Sequence, residues 1–178
     1  MKYIALLRGI NVGNKNRIKM ADLITIFESM GFENIKTYLQ SGNVIFKFYP
    51  SNTAKIRNEI ENKLINTFEY PVSVIIRTLD ELENVINSNP FIKEENIGID
   101  KLHVTFLREI PDKDDVSNLN MNKSANEEFK IIDREIYLYL PNGYGRTKLN
   151  NNIFEKKLKT TATTRNWKTT TKLLELSK

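Results

Sequence analysis

The stretch NIKTYLQSGNVIFKFY, residues 34–49, decides the fold. Two runs rich in β-branched and aromatic residues, Asn34–Gln40 and Asn43–Tyr49, flank Ser41-Gly42, which has the composition of a tight hairpin turn. Upstream, KYIALLR (2–8) reads as a strand and KMADLITIFESMGF (19–32) as a helix. Met20, Leu23, Ile24, Phe27 and Met30 fall on one face of that helix, and Gly31 stops it. Downstream, residues 51–70 read as a helix capped by Ser51, with Ile56, Ile60, Leu64 and Phe68 at helical spacing. PVSVIIRT (71–78) is again a strand. A hairpin set between two strand–helix pairs gives β-α-β-β-α-β, the split βαβ unit of ferredoxin-like α+β folds. The expectation is one antiparallel sheet of Tyr3–Leu7, Ile35–Gln40, Asn43–Phe48 and Val72–Arg77 covered by two helices.

The second half suggests the same plan. A short helix opens at Thr78, where Thr78 and Glu81 have capping-box spacing, and Pro90 follows its end. KLHVTFLR (101–108) is a strand, PDKDDVSNLNMN (111–122) a weak helix, and EFKIID with EIYLYLP a hairpin turning at Asp133-Arg134. Two helices, residues 150–159 and 163–176, are expected to close the chain. YIALLRGI from Tyr3 aligns with HVTFLREI from His103, so two diverged copies of one unit in tandem are expected. The corresponding division is 1–78, a connecting segment 79–100, and a second α+β subdomain 101–178.

Composition narrows the function. The chain has no cysteine, which excludes disulfides, thiolate metal sites and cysteine nucleophiles. The first apolar run, Tyr3–Leu7, is too short for a signal peptide, and no stretch reaches the length of a membrane span, so a cytoplasmic protein is expected. Charge alternates along the chain. Residues 1–78 hold 11 bases and 6 acids, residues 79–140 hold 7 bases and 14 acids, and residues 141–178 hold 9 bases and 2 acids. Two basic segments around an acidic middle suit an anionic small molecule or nucleic acid as partner.

Three loops concentrate that charge. RGINVGNKNRIK (8–19) contains Arg8, Gly9, Asn11, Gly13, Lys15 and Arg17 and no acid. Glycine permits positive φ and lets backbone amides approach an anion at the start of a helix. In a split βαβ unit the first two strands run parallel, so this loop and the turn Gln40-Ser41-Gly42-Asn43 leave the sheet at the same end. LPNGYGRTKLNNN (140–152) supplies Arg146 and Lys148 ahead of a helix, without P-loop or Rossmann spacing. TTATTRNW (160–167) is expected to cap the last helix with Thr163 or Thr164, placing Arg165, Asn166 and Trp167 in its first turn. There Trp167 either stacks on a ligand ring or joins the core. His103, the single histidine, has no catalytic partner in sequence, and the acids of Asp112–Asp115 suit a helix start better than a metal. No cofactor and no metal are expected.

The motifs Arg8-Gly9-Ile10-Asn11-Val12-Gly13, Gln40-Ser41-Gly42-Asn43 and Thr164-Arg165-Asn166-Trp167 together resemble the bacterial proteins catalogued as domain of unknown function 1697. The resemblance extends to NPF at Asn89 and GRTKLNNNIFEKKL (145–158), covering nearly the whole chain. It implies an α+β architecture with ferredoxin-like halves and carries no activity to transfer. Where that pattern has a second glycine after Gly13, this chain has Asn14. The expected function is binding of a phosphate-bearing or other anionic ligand at a basic edge. The alternatives are an enzyme acting on a small anion and an interaction module, monomeric or homodimeric.

Overall fold

The computed structural model describes residues 1–13, 16–94 and 97–178. These form two units, Met1–Glu83 with Leu173–Lys178, and Asn84–Lys172.

In the first unit, β1 (Lys2–Leu7), β2 (Glu33–Tyr38), β3 (Asn43–Lys47) and β4 (Val74–Thr78) form one sheet in the order β2-β3-β1-β4, with every neighbouring pair antiparallel. Helices α1 (Met20–Ser29) and α2 (Thr53–Phe68) supply the connections. This is the expected split βαβ sheet, with the hairpin strands side by side.

Strand alternation explains which residues reach the core. Tyr3, Ala5 and Leu7 of β1, Val44 and Phe46 of β3, and Val74 and Ile76 of β4 join Leu23, Phe27, Ile56, Ile60 and Leu64 of the helices in one buried cluster. On α1 the buried residues are Leu23, Ile26 and Phe27, so Ile26 takes the place expected for Ile24. Asn52, rather than Ser51, caps α2, because its side chain accepts from the amides of Ala54 and Lys55.

The second unit contains β5 (Leu102–Leu107), α4 (Lys113–Ser117), β6 (Glu128–Ile132), β7 (Glu135–Tyr139), α5 (Asn151–Leu158) and β8 (Ala162–Asn166). Its strand order is β6-β7-β5-β8, again antiparallel throughout. Leu107, Ile136, Leu138, Phe154, Leu158 and Ala162 share its core.

The expected helix over residues 163–176 is corrected. Residues 162–166 are β8, paired with β5 from His103↔Asn166 to Leu107↔Ala162, and helix α6 spans Trp167–Ser177. Asn166 caps α6 by accepting from the Thr169 amide at 2.7 Å, so neither Thr163 nor Thr164 plays that part. Helix α3 (Leu79–Asn87) likewise follows β4 without a loop. Its expected capping box is present, with Thr78 N donating to Glu81 Oε2 and Glu81 N to Thr78 Oγ1.

Candidate functional site

Residues 8–19 join β1 to α1, whereas the equivalent connection in the second unit, from β5 to α4, needs only residues 108–112. The strand ends themselves are built alike. Leu7 N donates to Gly42 O and Arg8 N to Ser73 O, and the second unit repeats this with Leu107 N to Arg134 O and Arg108 N to Thr161 O. The basic connection of the first unit is therefore the longer by seven residues.

That connection is held in place. Ile10 and Ile18 are buried in the core of the first unit, and between them Asn11 adopts a left-handed conformation (φ 54°). Its side chain accepts from Ile18 N at 2.9 Å and donates to Ile18 O at 2.9 Å and Gln40 O at 2.8 Å. Its own amide donates to Asn16 O. An amide side chain suits this position because it offers both a donor and an acceptor and tolerates left-handed backbone. The loop and the hairpin turn thus meet at the same end of the sheet, as parallel travel of β1 and β2 requires.

On the turn side, Asn43 is buried and donates to Tyr38 O and Ser41 Oγ. The amides of Asn11 and Asn43 thus hold the edge together. Gly9 (φ 69°) and Gly13 (φ 60°) face open space, and Arg17, Gln40 and Ser41 are exposed while Arg8 is half-buried. Leu39 is left-handed (φ 59°) although 52% exposed. Left-handed backbone at a non-glycine residue costs of order 1 kcal/mol, and at Leu39 it lies where β2 gives way to the hairpin turn. Lys15, and Asn14 beside it, lie outside the described residues.

The remaining expected site residues belong to the second unit. Arg146 is exposed, and Lys148 lines a cleft of about 410 Å³ with Asn120, Asn122, Thr147 and Lys157. Arg165 is buried on β8, where it donates to Thr163 Oγ1 and Thr164 O. Asn166 is the helix cap already described, and Trp167 is 4% exposed, which settles the choice in favour of the core. Thr164 sits in a hydroxyl network that sequence reasoning missed. It donates to Asn151 Oδ1 at 2.6 Å, lies 2.7 Å from Thr105 Oγ1, and accepts from Tyr144 Oη. Asp112 caps α4 and Asp115 takes Lys159 at 2.7 Å, so both acids have structural partners. Among the described residues no group of three or more His, Asp or Glu side chains is arranged to hold a metal, and no helix is long and apolar enough to cross a membrane.

His103 stacks on the Tyr144 ring at 5.6 Å, and its Nδ1 lies 3.4 Å from Lys101 O. Burial lowers its pKa from 6.5, and the backbone contact only partly opposes this. A histidine held neutral in the fold favours the folded state fully above the unfolded value, about 6.5. That contribution declines as pH falls from there toward the lower folded pKa. The single imidazole should titrate by NMR with a midpoint below 6.5, and His103→Gln should flatten the acid-side decline in urea midpoint between about pH 7 and 5. A midpoint above 6.5 would contradict this.

The family model described as "Protein of unknown function (DUF1697)" matches residues 1–137, which include the first two motifs and stop short of Thr164–Trp167. The conserved bacterial protein SP0830 from Streptococcus pneumoniae has a solved structure similar to this one, with TM-score 0.77 and 24% identity over 99% of this chain and 98% of that one. That likeness concerns the fold. No curated protein matches.

Proposed function

The chain belongs to the DUF1697 family of proteins of unknown function, and we propose that it binds a phosphate-bearing or other anionic ligand at the edge formed by residues 8–19 and the turn 39–43. One observation carries this reading. The second unit closes the equivalent connection with residues 108–112, so the acid-free loop of the first unit is longer than a strand-to-helix connection requires. The hydrogen bonds of Asn11 to Asn16, Ile18 and Gln40 support binding, since a segment ordered in advance loses little entropy when a ligand arrives. The arginines offer forked, charge-assisted contacts and the glycines allow close backbone approach. The matching strand order and strand-end hydrogen bonds of the units also support reading them as diverged copies, with the site elaborated in one. A cytoplasmic location agrees with this reading.

Calorimetry with inorganic pyrophosphate, ATP and a single-stranded oligonucleotide, at low and moderate salt, tests it. A small phosphorylated ligand gives saturable binding with a shallow salt dependence, whereas nucleic acid gives a steep one. Arg17→Ala should weaken whichever probe binds by about tenfold, one charge-assisted contact. Asn11→Asp keeps the acceptor and removes both side-chain donors. It should lower stability by about 1–3 kcal/mol and weaken the same probe. Absence of binding by all three probes, or binding indifferent to both substitutions, would refute the proposal.

A further inference from the structure

A second site lies on the first unit's sheet, on the face turned away from α1 and α2. A cleft of about 330 Å³ opens there over Ile45 and Leu176. Four lysines line it: Lys2, Lys36, Lys47 and Lys178. Strand register explains the grouping. Lys2 pairs with Lys47 across β1 and β3, and Lys36 pairs with Ile45 across β2 and β3. Paired residues share a face, while Tyr3, Val44 and Phe46 turn to the core on the other side.

Lys2 and Lys47 repel directly across the ladder, while Glu33, opposite Lys47 on the β2 side, offsets one of the four positive charges. Two of the lysines are partly accounted for: Lys2 Nζ donates to Lys178 O, and Lys178 Nζ lies 3.5 Å from Glu83. Lys36 and Lys47 are both exposed, and Glu33 stands opposite Lys47 in the β2–β3 register. No acidic side chain lines the cleft.

We propose that this cleft binds a small amphiphilic anion, with its apolar part on Ile45 and Leu176 and its acidic head held by Lys36 and Lys47. An apolar floor with a few convergent polar groups is the usual make-up of a small-molecule site, and the volume sits at the low end of the range of about 300–1,000 Å³. The charge selects an anion, and the floor distinguishes it from a bare phosphate. This site is separate from the loop edge and does not depend on that reading.

The test is amide NMR titration of the full chain with monomeric octyl phosphate, octanol and inorganic phosphate in parallel. Octyl phosphate should bind saturably and shift the amides of Lys36, Ile45 and Lys47, at least about tenfold tighter than either fragment compound. The double variant Lys36→Gln/Lys47→Gln should weaken octyl phosphate by at least about tenfold while its melting temperature changes little, because losing the Lys47 charge removes one like-charge and one opposite-charge cross-strand pair together. Arg17→Ala should leave this binding unchanged. Equal affinity for octanol, shifts confined to residues 8–19, undiminished binding by the double variant, or binding only to anionic lipid vesicles would each overturn the proposal. A fall in the double variant's melting temperature would also count against it, by showing the lysines to be structural.

Discussion

Replacing Phe46 with Ala is expected to lower the unfolding free energy by about 3–5 kcal/mol, the cost of emptying a large aromatic site in a packed core. Phe46 is fully buried on β3, and its ring lies 5.6 Å from Tyr3, 5.4 Å from Phe27 and 4.5 Å from Phe32. It therefore joins β1, α1 and the start of β2 at one point, and close packing leaves little room for neighbours to fill the void. Phe46→Leu keeps most of the volume and should cost markedly less. Urea denaturation followed by far-ultraviolet circular dichroism measures both. A loss below about 1 kcal/mol for Phe46→Ala would mean that the aromatic cluster collapses around the gap. The consequence reaches both proposed sites because β3 carries Asn43, which shapes the turn, and Lys47, which lines the second cleft.

The first unit was legible in its sequence because its strands alternate cleanly and its helices keep a three-to-four spacing; Ile56, Ile60 and Leu64 are all buried as that spacing requires. β8 was not legible. Ala162-Thr163-Thr164-Arg165-Asn166 has no apolar alternation, and its buried positions are filled by Ala162, Thr163 and Arg165. Threonine favours both strands and helix caps, and the density of threonines after Thr160 pointed to caps. The true cap, Asn166, is also the last strand residue, so strand and helix share a boundary that no turn residue marks.

The meeting of the first loop with the hairpin followed from strand direction alone. The wiring of Asn11 did not, because an asparagine in a loop is ordinary until its partners are known. The lysines of the sheet face went unnoticed for a related reason. Lys36 and Lys47 sit on different strands, and exposed lysines on alternating positions read as solvated until register sets them beside one another.

Gly42→Ala should be the most damaging change within the edge itself, at about 2–4 kcal/mol from two additive sources. Gly42 has φ +74°, a conformation that costs an L-residue roughly 1–2 kcal/mol. In addition, a Cβ there would sit 2.6 Å from Ile10 Cδ1 and 2.8 Å from Leu7 Cβ. Ile10 has some freedom to turn aside, but Leu7 Cβ is fixed to the backbone of β1, whose last amide donates to Gly42 O at 2.8 Å. Relief therefore requires the turn to move away from the strand, lengthening that bond and dragging Gln40 O from Asn11. Gly13→Ala is the matched control. It shares the positive φ but meets nothing within 4 Å, so it should show the conformational cost alone. The two variants are compared by urea denaturation and by titration with the probe that binds the parent protein. Gly42→Ala should lose more stability than Gly13→Ala and weaken binding through displacement of the loop. Equal losses for the pair would show that the close approach of turn and loop is soft, and the preorganised edge would lose its main mechanical support.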